Sequence, residues 1–166
     1  MAAGATYEPI ATTTLGSAQS SITFSSIPAT YTDLVLICSV KGDSALGLVR
    51  VRFNGDTGNN YSYTRIYGTG SAVASDRSNN TSSMELSDPG GGFNYQFIVA
   101  KGFINNYAST TTYKTMLGRG DEVANVTMAT ANLWRSTSAI NSVTVFTTSN
   151  NFIAGSMVTL YGIAAA

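Results

Sequence analysis

The sequence predicts an all-β protein: an antiparallel β-sandwich, jelly-roll-like, with about ten strands, in one domain over residues 1–166. Three observations predict it. Short runs of β-branched and aromatic residues recur from end to end. Clusters of Gly, Asn, Asp and Ser break those runs at short intervals. No long window keeps apolar residues at helical spacing without β-branched crowding. A chain of 166 residues can bury one good core and is too short for two.

The first two strands are expected at 7–15 and 20–24. The run 33–41 is nearly continuously apolar, so both its faces should be covered. Residues 48–53 alternate, with Val49, Val51 and Phe53 on one face and Leu48, Arg50 and Arg52 on the other. The loop 54–60 is rich in residues that tolerate positive φ, and 61–67 is the next strand, so 48–67 reads as a hairpin with a long loop. Residues 68–92 are rich in Ser, Asn and Gly, and carry Pro89 and the run Gly90, Gly91, Gly92. An exposed loop is expected there, with a short strand at 83–86. Strands resume at 95–104, 113–119, 124–134, 140–147 and 157–163, with short turns at 28–32 and 136–140.

Composition narrows function. Nine acids balance nine bases, so the chain lacks the basic surplus that binds phosphate backbones or anionic membranes. Neutrality also removes the charge repulsion that keeps proteins apart, which favours an assembled state. The single cysteine, Cys38, lies in an apolar run and reads as a buried hydrophobe of a protein made in a reducing cytoplasm. The N-terminus lacks the pattern of a signal peptide, and no apolar run is long enough to cross a bilayer.

Catalytic chemistry finds little to work with. Histidine is absent, which removes the usual general base, the Ser-His-Asp and Cys-His arrangements and the commonest zinc ligand. A serine paired with Lys41, Lys101 or Lys114 is formally available, but nothing singles out a serine. The carboxylates Glu8, Glu85, Asp88, Asp121 and Glu122 could supply a glycosidase pair, but read more simply as solvated loop acids. Asp56, Asn59 and Asn60 are too few oxygens for calcium and suit a turn. Arg119-Gly120-Asp121, an adhesion tripeptide in letters, also reads as a turn, and the Asn-x-Ser/Thr triplets are expected by chance in this composition. The chain is therefore expected to be a non-enzymatic binding protein without cofactor or metal.

Aromatic residues carry the binding potential. Tyr61, Tyr63, Arg65 and Tyr67 share one face of their strand, opposite Ser62, Thr64 and Ile66. Facing outward, they would form a strip for a protein partner or a sugar; facing inward, they would be core with hydroxyls at the rim. Trp134 reads as a core cap.

Several segments carry a resemblance. They are Tyr7-Glu8-Pro9-Ile10, Ser21-Ile22-Thr23-Phe24 running on to Asp33-Leu34, Val51-Arg52-Phe53-Asn54-Gly55-Asp56, Asn60-Tyr61-Ser62-Tyr63-Thr64, Leu133-Trp134-Arg135-Ser136-Thr137 and Leu160-Tyr161-Gly162-Ile163. Over nearly its whole length the chain resembles small virion structural proteins of tailed bacteriophages. The resemblance implies a jelly-roll-like sandwich, often a homotrimer, made in the bacterial host's cytoplasm and displayed on the virion surface. It implies the major capsid protein or other virion proteins as partners. Capsid decoration (cement) is the leading reading. A chain beginning at Met1, ending just after its last strand and lacking coiled-coil heptads favours it over the alternative, a tail, fibre or receptor-contact module. A carbohydrate-binding module ranks third. Residues 1–10 are expected to form an anchoring or swapped arm.

Overall fold

The structure is a computed structural model that describes residues 6–43, 47–88, 97–122 and 126–164. Its strands are β1 (Tyr7–Thr14), β2 (Ser21–Phe24), β3 (Asp33–Lys41), β4 (Val49–Phe53), β5 (Tyr61–Gly68), β6 (Val73–Thr81), β7 (Met84–Ser87), β8 (Phe97–Asn105), β9 (Lys114–Glu122), β10 (Thr127–Trp134), β11 (Val143–Thr147) and β12 (Met157–Ile163). No helix occurs among the described residues. One sheet has eight strands in the order β1-β12-β3-β8-β9-β10-β5-β6, and the other has four in the order β2-β11-β4-β7. Neighbouring strands are antiparallel throughout.

The connectivity is a jelly roll with two insertions. The pairs β1·β12, β2·β11, β3·β8 and β4·β7 nest inside one another, as in a long hairpin rolled into two sheets. The hairpin β5–β6 is inserted between β4 and β7, and β9–β10 between β8 and β11. Both insertions join the same sheet, extending it from four strands to eight.

Alternation builds the core. Leu34, Leu36, Cys38 and Val40 of β3 point inward with Val49, Val51 and Phe53 of β4 and Val143 and Val145 of β11. Each such side chain contributes about 1.5–3 kcal/mol when fully buried. The outer face of β3 is covered less completely: Val35 is buried, and Ile37 and Ser39 are half-buried.

β7 lies close against the large sheet because glycines line the track beneath it. A Cβ at Gly118 would sit 3.5 Å from Leu86 Cδ1, and one at Gly120 2.8 Å from the Leu86 carbonyl oxygen. The edge of β7 away from β4 is met by side chains of β10. The Glu85 N–H donates to Asn132 Oδ1 (2.9 Å), the Thr130 hydroxyl donates to the Glu85 carbonyl (3.2 Å), and the Asp88 N–H donates to Met128 Sδ (3.1 Å).

Several expectations are corrected. Residues 48–67 are not a hairpin: β4 and β5 lie in different sheets, and the loop between them closes the end of the sandwich. Tyr61 explains this, because its buried hydroxyl donates to the Phe53 and Asp56 carbonyls and accepts from the Phe53 N–H. The stretch taken for a loop holds β6, a polar strand paired along β5. The segments 28–32 and 136–140, expected as short turns, are bends and extended chain. Arg119-Gly120-Asp121 lies within β9, not in a turn. β11 starts at Val143 rather than at 140. Tyr7 to Ile10, at the start of the strand expected over 7–15, belong to β1, which pairs with β12. Met1 to Ala5, the triple glycine, Pro89, Tyr95, Ala124 and Asn125 lie outside the described residues.

Candidate interaction surface

The structure turns the tyrosine face of β5 inward. Tyr61 is fully buried, and burial pushes its hydroxyl up to about 12. Its ring stacks on Trp134 at 6.1 Å, and Trp134 meets Phe53 edge-on at 5.6 Å. Trp134 is itself buried, and its indole N–H donates to Asp56 Oδ2 at 2.7 Å. The Gly58 N–H and the Asn60 amide also donate to Asp56, at 2.8 and 3.0 Å. Burial pushes the Asp56 carboxyl up, but these donors, helped by Arg52, outweigh it and hold the group below its usual range. The loop therefore spends its carboxylate on N–H donors, as a turn does.

Tyr63, Arg65 and Tyr67 are half-buried around an ionic cluster that joins the sheets. Arg65 donates to both oxygens of Asp76, at 2.8 and 2.7 Å. Its Nη1 donates to Glu85 Oε1 and Asp88 Oδ2, each at 2.5 Å. Glu85, one of the acids expected to be solvated, is instead fully buried, with Arg50 Nη2 3.0 Å from its other oxygen. Burial pushes the Glu85 carboxyl up, while the two guanidinium groups pull it down. Burial also opposes the charge on Arg65, but the surrounding carboxylates overcome it and raise its pKa. Tyr63 lies 5.2 Å from the Arg50 guanidinium and Tyr67 5.0 Å from that of Arg65. The cluster holds β5 and β6 around the β7 edge.

Lys114 and Cys38 are also buried in the fold. The Lys114 ammonium donates to the Thr112 and Thr137 carbonyls at 2.7 and 3.3 Å, and burial lowers its pKa. Burial alone pushes the Cys38 thiol up to about 12.

The face left open is the outer side of the eight-stranded sheet. Among the described residues, the exposed large apolar side chains are Tyr7, Ile66, Val73, Phe97, Val99, Phe103, Tyr113, Leu117 and Met157. The strand register puts all of these except Tyr113 on that one face. Leu117, at 57% exposure, sits opposite Phe103 near its centre. Toward β6 the face becomes polar, a shallow groove lined by Ser62, Thr64, Arg77, Asn79 and Thr115 among others. Sequence reading missed this surface. The signal was in 97–104, where apolar residues occupy both faces of one strand.

No family model and no curated protein matches the chain. A protein of unknown function from Shewanella oneidensis MR-1 aligns over 98% of this chain and 77% of its own, at 7% identity and a TM-score of 0.29. A likeness that slight carries no argument about function.

Proposed function

We propose that the protein is a structural component of a bacteriophage virion, a capsid-decoration protein that lays the outer face of its large sheet on the shell. The observation that carries this reading is the gathering of exposed apolar side chains on that single face. The jelly roll, extended on one side only, supplies a broad and stiff platform, and a neutral chain is not held off a neighbour by net charge. The resemblance of its segments to small phage virion proteins supports the same reading. A sugar-binding module has less to work with, because Tyr61 and Trp134, its natural stacking platform, are buried.

Quantitative mass spectrometry of purified virions tests the proposal. A copy number comparable with that of the major shell protein is expected. A count far below it would assign the chain to the tail or fibre, and absence from the particle would overturn the reading.

A further inference from the structure

We infer that the outer face of the large sheet receives an acidic side chain of the partner protein between Lys101 and Arg119, with apolar partner groups on either side. This rests on the decoration reading and names the chemistry of its partner. Lys101 on β8 and Arg119 on β9 are directly opposite in register on that face. Like charges at such a position disfavour the sheet. The two side chains turn away from each other. The Lys101 ammonium lies 4.6 Å from the Phe103 ring centroid, and Arg119 Nη2 reaches Asp121 Oδ2 at 2.8 Å. Arg119 remains 73% exposed, and among the described residues no carboxylate lies within ion-pair distance of Lys101. Only nine basic residues occur in the chain, and two of them face each other among exposed apolar side chains. An arrangement that weakens the isolated fold fits a contact completed by another molecule.

The surroundings select the partner. Phe103 and Leu117 flank the cation pair on one side, and Val99 on the other, so the site asks for a carboxylate set among apolar groups. A second copy related by a two-fold axis through this pair would set the same cations against themselves. A nucleic acid would need a basic surplus for its phosphates, which a chain of nine acids and nine bases lacks.

The test is cosedimentation of the full-length protein with purified shells lacking it, beside anionic lipid vesicles. Lys101→Glu and the double variant Lys101→Glu/Arg119→Glu should weaken shell binding on the order of tenfold or more. Thr23→Glu, which adds a carboxylate on the outer face of the small sheet, should leave it unchanged. Lys101→Glu sets a carboxylate opposite Arg119, so its melting temperature should equal or exceed that of wild type, which separates lost binding from lost folding. Shell binding by the double variant equal to wild type overturns this inference alone. Wild-type binding to the vesicles, lost in the same variants, overturns it in favour of a membrane. Failure of wild type to bind shells overturns the decoration reading and this inference with it.

Discussion

At the residue scale, the fold depends on a few polar side chains spent on internal partners. Asp56 ties the β4–β5 loop to Trp134, and its carboxyl is held below the usual range. A folded-state value below the unfolded one means stability that is present above the unfolded value and lost as pH falls through the folded one. Asp56→Ala should cost about 1–3 kcal/mol near neutral pH. Urea unfolding of both proteins should show that gap narrowing below pH of about 4. Glu85 makes a larger demand, because removing it takes away the buried carboxylate between Arg50 and Arg65 and leaves Arg65 only Asp76 and Asp88. Glu85→Ala should cost about 3–5 kcal/mol in the same measurement. Sequence alone gave Trp134 its place in the core but not the burial of Glu85. Its charge partners come from β4 and β5, and no spacing along the chain brings them together.

At the element scale, apolar strands were legible and polar ones were not. Residues 33–41 and 157–163 match β3 and β12 because their apolar character sets their length. β6 was hidden because most of its side chains are exposed, leaving no apolar period to read. The face of β5 could not be chosen from sequence, since Tyr63 and Ile66 are equally plausible core residues and only the Arg65 cluster decides. Gly120 was taken for part of a turn, whereas it lies in a strand to let β7 approach. Gly120→Ala should therefore destabilise the protein by about 1–3 kcal/mol. Gly16→Ala, where an added Cβ meets nothing within 4 Å, should be nearly neutral. Thermal unfolding of the pair tests this.

At the scale of the whole molecule, the two insertions make the sheets unequal. Eight strands against four leave a broad outer face, and the register collects exposed apolar side chains and cations on it. The sandwich itself was legible in the sequence, since turn spacing and strand composition require some closed pair of sheets. The inequality was not, because it depends on which sheet each inserted hairpin joins. The proposed contact surface is the outer face of the large sheet. A cryo-electron map of the intact particle, with this fold fitted into it, tests that claim most directly. The β8–β9 face, with Leu117, Lys101 and Arg119, should be turned onto the shell. Density that leaves this face in solvent, with the small sheet or a loop making the contact, would contradict it.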